Sequence, residues 1–438
     1  MITKVKGTYD ILPSETRKWQ ELEAVIFQVS RLYNFKEIRT PIFEASELFH
    51  RSVGEASDIV KKETYDFSDR GDRLITLRPE GTAAIVRSVI ENKLYADPNQ
   101  PQKLYYVGPM FRYERPQKGR QRQFHQFGAE ALGSYSPALD AELIAYAITL
   151  LKALRIPNVR VKINSLGDSD SKDAYRTELL QYLKPKISEL CPDCQARFKV
   201  NPLRVLDCKI DKDSPILVEA PKPLDSLSLV AKTHFQGVLS RLDAMGIAYV
   251  VDKSLVRGLD YYTHTVFEFE ADLPTLGAQA TLGGGGRYND LVKSLDGPDY
   301  PAVGFAFGIE RLLLALESSE KAPKENYIHA FMIVLGEPSQ PKAAELLINL
   351  RHGGLIVDTD FLMRPLKTQF KQAERLNAMY IIIFGDDELD NDVVNVKNAK
   401  TGVQETIKTV DLYQYIVKGI QNQSSTCSGH CDSCEDEC

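Results

Sequence analysis

The sequence predicts an α+β fold: an antiparallel sheet with flanking helices, a helical insertion within it, and a C-terminal α/β domain. Three observations carry this. In the first 320 residues, short apolar runs with strand character are separated mostly by turns, the pattern of antiparallel strands with helices packed on them. Residues 317–327, ESSEKAPKENY, form a polar linker. Beyond it, strand-like and helix-like segments alternate. A chain of 438 residues exceeds one ordinary core, so two or three domains are expected.

Residues 14–33 read as an amphipathic helix capped by Ser14, with Trp19, Leu22, Val25, Ile26, Val29, Leu32 and Tyr33 at helical spacing. Pro41, within the apolar stretch Ile38–Phe43, marks an edge strand or a strand end. Leu74–Leu77, Leu104–Val107, Gln123–Phe127 and Val266–Phe269 are strand candidates. Core strands at Val159–Asn164 and Ala248–Val251 bracket residues 168–247, which carry helical runs, a Cys-Pro-Asp-Cys turn and the proline-rich Ser214–Pro223, and read as an insertion. After the linker come strand Ile328–Leu335, a helix near Lys342–Leu350, strand Leu355–Val357, helix Leu366–Leu376 and strand Tyr380–Phe384. The expected domains are 1–320, with the insertion at about 168–247; 326–420; and a cysteine-rich flexible tail at 421–438.

Hydrophobic residues make up 43% and charged residues 26%, the balance of a globular protein. No apolar run approaches the roughly 20 residues of a membrane helix, and the first residues lack a signal-peptide core, so a cytoplasmic location is expected. A net charge of -6 argues against a non-specific nucleic-acid coat, but not against local basic patches that grip phosphate. Seven cysteines without an export signal favour reduced thiols or metal ligands over disulfides. Cys191, Cys194 and Cys208 give a C-x-x-C plus one; lacking an evident fourth ligand, they read as ordinary thiols. Cys427, Cys431, Cys434 and Cys438, near His430, share one face if helical, or hold a soft metal as a knuckle.

The densest chemical signal is Gly108–Glu130, GPMFRYERPQKGRQRQFHQFGAE. Five basic residues and one acid lie between Arg112 and Arg122, which on composition alone is a solvated loop. Gln126, Gly128 and Glu130 then alternate on one face of a strand, opposite Phe127. Strand, basic loop and polar-faced strand suit a phosphate grip beside a specificity pocket.

The Phe-Arg-Tyr-Glu at 111–114 and Arg-Gln-Phe-His-Gln at 122–126 resemble motif 2 of the class II aminoacyl-tRNA synthetases, in its histidine-specific wording. Thr40-Pro41, Glu44, Leu48-Phe49 and Arg51 resemble motif 1, the dimer-interface helix and strand. Leu-Arg-Pro-Glu-Gly-Thr at 77–82 resembles the amino-acid pocket, Leu-Val-Arg-Gly-Leu-Asp-Tyr-Tyr at 255–262 and Gly-Gly-Arg-Tyr at 285–288 the histidine-specific signatures, and Gly304–Leu312 motif 3. One departure is Asn289, where the family often has Asp; Asp290 follows one place later. Arg364–Gln369 and Ile381–Gly385 resemble the anticodon-binding domain of this group.

The resemblance implies activation of L-histidine with ATP and Mg²⁺, transfer to tRNA(His), and a homodimer without membrane attachment. Such adenylation needs no protein nucleophile, because the attacking carboxylate is already anionic; positioning and charge stabilisation suffice. That accounts for arginines, whose planar forks suit phosphate. By resemblance, Arg112 and Arg257 address the α-phosphate and the amino acid, Arg311 lies against ATP, Phe124 stacks on adenine and Glu114 meets its amine. Glu80, Gly81, Thr82 and Gln126 face the histidine backbone; Glu130, Tyr261, Tyr262 and Tyr288 face the imidazole. For the two adjacent tyrosines, ordinary packing of at least one is the plain alternative, as a flexible turn is for Gly283–Gly286. Arg115 and Gln117, with Arg364, Lys367 and Lys371 in the last domain, are candidate tRNA contacts; solvated helix faces are the alternative for the last three. One rival is a synthetase-like regulatory subunit of histidine biosynthesis, which lacks the last domain; another is a class II ligase for threonine or proline, which would need a different pocket.

Overall fold

In a computed structural model, which describes residues 1–53, 59–117, 119–200, 202–206, 208, 210–211, 213–256, 261–276, 280–317 and 327–427, the N-terminal amphipathic segment forms a helix over Pro13–Leu32. It begins earlier than expected, and Ser14 is not its cap. Leu12 takes that place, and Pro13 fills the first helical position, where its missing N–H costs nothing. Trp19, Leu22, Ile26 and Val29 are buried against the sheet that follows.

Eleven strands are described in the first unit, Met1–Lys321. They are β1 (Lys36–Glu37), β2 (Phe43–Ala45), β3 (Tyr65–Ser68), β4 (Leu74–Leu77), β5 (Gln102–Phe111), β6 (Gln123–Leu132), β7 (Val159–Ser165), β8 (Tyr249–Val251), β9 (Thr263–Ala271), β10 (Thr281–Arg287) and β11 (Ala302–Gly308). Eight form one sheet in the order β1-β5-β6-β11-β10-β9-β7-β8. Its six central strands pair antiparallel, as expected. Both edges depart from that rule: β1 runs parallel to β5, and β8 parallel to β7. Parallel neighbours need a long crossover, and the inserted helices supply one between β7 and β8. Pro41 lies between β1 and β2, consistent with a strand end.

One face of the sheet carries Tyr105, Phe127, Phe267, Phe269, Phe305 and Phe307 into the main core, covered by Pro13–Leu32 and the helix Pro137–Ala153. The opposite face carries Leu104, Tyr106 and Val266 beneath the helix Thr82–Glu91. Gly283–Gly286 is not a turn. It is the middle of β10, where a Cβ at Gly283 would stand 2.3 Å from the Ala306 carbonyl oxygen and one at Gly285 2.0 Å from that of Gly304. β2, β4 and β3 form a separate three-stranded antiparallel sheet.

Between β7 and β8 the described elements are all helices, including Ser169–Leu183, Pro192–Val200 and Leu229–Ala244. Tyr175, Leu179, Leu183, Leu190, Val205 and Leu217 make a small core of their own. Phe235, Val238 and Leu242 of Leu229–Ala244 enter the main core instead.

The second unit, Ala322–Cys438, has its own sheet. Its strands are β12 (Ala330–Val334), β13 (Val357–Thr359), β14 (Tyr380–Phe384), β15 (Val393–Asn398) and β16 (Gln404–Lys408), in the order β13-β12-β14-β15-β16. The first three are parallel, with the helices Gln340–His352 and Leu366–Arg375 between them, as the alternation predicts. The antiparallel pair β15/β16 was not anticipated, although Gly402, at φ +73°, marks the turn between them. The last helix, Leu412–Cys427, runs through the first residues of the segment expected as a flexible tail, 421–438. Buried Leu412 and Ile416 anchor it, and nothing in Gln421–Cys427 breaks a helix. Residues 318–326 of the linker, with Cys431, Cys434 and Cys438, lie outside the described residues.

Candidate functional site

A cavity of about 610 Å³ opens on the sheet, lined from β5, β6, β9, β10 and β11 and from the start of the helix Thr82–Glu91. The structure brings Glu80, Thr82, Arg112, Glu114, Phe124, Gln126, Glu130, Tyr261, Tyr262, Tyr288 and Arg311 to this one space. Strand alternation places Gln126 and Glu130 here while Phe127 points into the main core.

One cluster is built around Glu130, which is 1% exposed. Its carboxylate accepts from Thr82 Oγ1 at 2.7 Å and from the Tyr288 hydroxyl. Burial pushes this carboxyl up to about 8, against the opposing effect of those two donors. Gly304, opposite Glu130 in the β6/β11 register, makes the room: a Cβ there would lie 1.6 Å from Glu130 Oε2. Glu80 accepts the Thr82 and Ala83 backbone N–H groups, both at 2.8 Å, so it caps the helix as well as lining the cavity. Burial pushes its carboxyl up too. Gln126 Oε1 is buried without a hydrogen-bond partner among the described residues. Tyr261 and Tyr262 precede β9; Tyr262 packs in the core and Tyr261 meets the Tyr288 ring edge-to-face, with centroids 5.4 Å apart. Burial raises the Tyr261 and Tyr288 hydroxyls well above their ordinary value, so both remain O–H donors.

A second cluster is cationic. Arg112 donates to the Pro79 carbonyl at 2.8 Å and lies 5.4 Å above the Phe124 ring. Glu114 pairs with Arg120 at 3.2 Å. Arg311 donates to the Thr281 carbonyl at 2.6 Å. Burial first, then neighbouring Arg120, lowers the Arg311 guanidinium from its usual value. Glu310 accepts from the His125 backbone N–H at 2.9 Å and so ties the helix Ile309–Leu316 to β6.

Other expected residues fall elsewhere. Gly81 does not line the cavity; it admits the Tyr106 ring, which a Cβ at Gly81 would approach to 2.3 Å. Arg115 and Gln117 are exposed on the β5–β6 loop. Arg257 lies outside the described residues. Asn289 Oδ1 accepts from Arg287 Nη1 at 3.2 Å, next to the buried pair of Arg287 with Asp140. In the second unit Arg364 is held by Asp360 through Nε at 2.6 Å, while Lys367 and Lys371 are exposed.

The sequence reading missed three features. Tyr106 and Glu268 line the cavity. Glycines at 81 and 128, both of which abut the Tyr106 ring, were the signal for the first. The alternation of Glu268 and Glu270 with Phe267 and Phe269 was the signal for the second. The third is the exposed apolar run Phe361-Leu362-Met363, beside Arg364.

No helix among the described residues is long and apolar enough to cross a membrane. Comparison with known proteins identifies the family. The family described as "Histidyl-tRNA synthetase" matches residues 7–312, and "Anticodon binding domain" matches 329–419. A histidine–tRNA ligase of Bacillus cytotoxicus is 50% identical over 414 residues, covering 94% of this chain and 98% of its own. One from Anoxybacillus flavithermus is 51% identical over 403 residues, covering 92% and 95%. The crystal structure of apo S. aureus histidyl-tRNA synthetase superposes with a TM-score of 0.82 at 44% identity, covering 95% of this chain and 100% of that one. A cavity that pairs a buried carboxyl and hydroxyls with arginines, on an antiparallel sheet followed by a matched anticodon-binding domain, has one reading: the chain belongs to the histidyl-tRNA synthetase family.

Proposed function

We propose that the protein is a histidine–tRNA ligase that forms histidyl-adenylate in this cavity and transfers the histidyl group to the 3′ end of tRNA(His). The observation that carries this is the Thr82–Glu130–Tyr288 cluster sharing one cavity with Arg112 and Arg311. The substrate carboxylate attacks the α-phosphorus of ATP, a P–O bond forms, and pyrophosphate leaves with the electrons of the broken bond. A 3′-terminal hydroxyl of tRNA then attacks the activated carbonyl and AMP leaves.

The residues divide this work by position. Glu130, with Tyr261, Tyr262 and Tyr288, faces the imidazole ring. A site that hydrogen-bonds ring nitrogens rejects side chains lacking them, because its own polar groups would be left buried and unpaired. Glu80, Thr82 and Gln126 hold the amino-acid backbone. Arg112 and Arg311 take ATP, whose adenine stacks on Phe124 beside Glu114. Arg257 is assigned to the α-phosphate by its motif alone. Glu268, one of the carboxylates lining the cavity, would hold a Mg²⁺ accompanying ATP, which would supply neutralisation of phosphate charge.

Residues 1–320 form the catalytic domain in this reading, with the insertion at 168–247, and 326–420 bind the anticodon. Lys367 and exposed Phe361 suit an RNA loop, one through phosphate and the other through base stacking. Arg115 and Gln117 are assigned to the acceptor end. A homodimer is supported by the apolar face of the three-stranded sheet, where Phe43 and Phe67 are exposed. A cytoplasmic site of action completes the proposal.

Amino-acid-dependent ATP–pyrophosphate exchange across all twenty amino acids tests it. Exchange with histidine alone is expected; comparable exchange with threonine or proline, or none with histidine, overturns it.

A further inference from the structure

We infer that Cys191, Cys194, Cys208 and Asp211, within the insertion between β7 and β8, form a binding site for one soft divalent cation of the zinc class. The sequence showed three thiols without a fourth ligand; folding supplies it in Asp211. The three Sγ atoms and a carboxylate oxygen of Asp211 all lie within 4.8 Å of one another. Cys191 Sγ is 3.7 Å from Cys208 Sγ, and Cys208 Sγ is 3.6 Å from Asp211 Oδ2. A tetrahedral ion with bonds of about 2.3 Å to sulfur and about 2.1 Å to oxygen sets its ligands roughly 3.6–3.8 Å apart. A disulfide would bring two sulfurs to about 2.05 Å. These two edges match the spacing of ligands around a common centre, and the remaining ones stay within 4.8 Å.

The surroundings suit anionic ligands. The Cys191 N–H donates to Asp211 Oδ2 at 2.9 Å, and the Asp211 N–H donates to Cys208 Sγ at 3.3 Å. Such donors orient and stabilise the groups that hold a metal. The helix Pro192–Val200 brings Cys191 and Cys194 to the same side of its first turn. Cys194 and Cys208 are buried in the small core of the insertion, whose apolar complement is modest. A cation there cross-links residues 191–211 where hydrophobic burial alone is limited.

The test uses the full chain carrying Cys427→Ser, Cys431→Ser, Cys434→Ser and Cys438→Ser, so that tail thiols contribute nothing. Elemental analysis of the reduced protein is expected to find about one zinc per chain, as a closed four-ligand site holds. After metal removal, titration with Co²⁺ is expected to give the intense visible and thiolate charge-transfer bands of a tetrahedral sulfur-rich site. Cys191→Ser, at a half-buried position, is expected to abolish the bound zinc, and Asp211→Asn to weaken Co²⁺ binding while the charge-transfer band persists. Chelator treatment of the tail variant should lower its melting temperature, and zinc should restore it. Three outcomes overturn the site: no zinc and no charge-transfer band in the tail variant, a Cys191–Cys208 disulfide or three free thiols insensitive to zinc and chelator, or metal content unchanged by Cys191→Ser and Asp211→Asn in folded protein. The chelator arm, run on the tail variant, needs no substitution in the insertion, so misfolding of Cys191→Ser leaves the test intact. Histidine-dependent exchange is measured alongside; its loss with zinc still bound would count against the proposed reaction and not against this site.

Discussion

Glu130 is the residue on which pH dependence and the proposed specificity meet. Burial pushes its carboxyl up to about 8, whereas an unfolded-chain glutamate titrates near 4.3, so between about pH 4.3 and 8 the folded state keeps a proton that the unfolded state has lost. Its contribution to stability is full below the lower value and is lost as pH rises through the upper one. Melting of the unliganded protein between about pH 5 and pH 8 should therefore decline more steeply in the parent than in Glu130→Gln, as thermal unfolding across that range will show. Gly304 sets a steric condition on the same carboxylate. Gly304→Ala places a methyl 1.6 Å from Glu130 Oε2. Stability should fall by about 1–3 kcal/mol, as for overpacked cores. Histidine activation should fall on the order of 10²-fold, as expected of a roughly 1 Å misplacement. Calorimetry and exchange kinetics read the two effects separately. Arg257→Ala should lower single-turnover adenylate formation by about 10²–10³ with both substrates saturating, since losing one donor to developing charge costs about that much. Arg257→Lys should recover part of it, because a point charge lacks the planar fork. A rate within a few-fold of the parent in Arg257→Ala would remove it from the mechanism.

Among the elements, β2, β3 and β4 stand out. Phe43 and Tyr65 both register with Leu77, and Phe67 with Ile75, so these apolar side chains share one face. Phe43 is 51% exposed and Phe67 44%. A sheet of three strands gains little from leaving such a face in water, at about 25 cal/mol for each Å² of apolar surface. The proposed dimer covers it. Phe43→Glu with Phe67→Glu should shift sedimentation from dimer to monomer at micromolar concentration and depress exchange activity. Persistence of the dimer would place the interface elsewhere.

The whole molecule is two units, each with its own sheet and core. All the described cavity residues belong to the first. Removing residues 325–438 should leave histidine-dependent exchange measurable while aminoacylation of tRNA falls steeply. Equal loss of both activities in a truncation that circular dichroism shows to be folded would contradict the division of labour.

What the sequence by itself determined was local or motif-bound. Periodicity located the helix Pro13–Leu32, the central strands β5, β6, β7 and β9, and the alternating C-terminal unit, because burial on one face imposes a period that can be read along the chain. The motif wording identified the family and named eleven residues that meet at the cavity, but not Tyr106 or Glu268, which also line it. What only the tertiary structure decided depended on partners distant in sequence. The parallel edges of the large sheet follow from where long crossovers land. Gly283–Gly286 is a strand rather than a turn because β11 packs against it too closely for any side chain. Glu130 is raised because folding buries it on β6 opposite Gly304 of β11, against the opposing effect of its donors Thr82 and Tyr288. Asp211 joins three cysteines only once the insertion has folded. A single sequence records the chemistry of each side chain, whereas desolvation and coordination belong to groups that folding brings together.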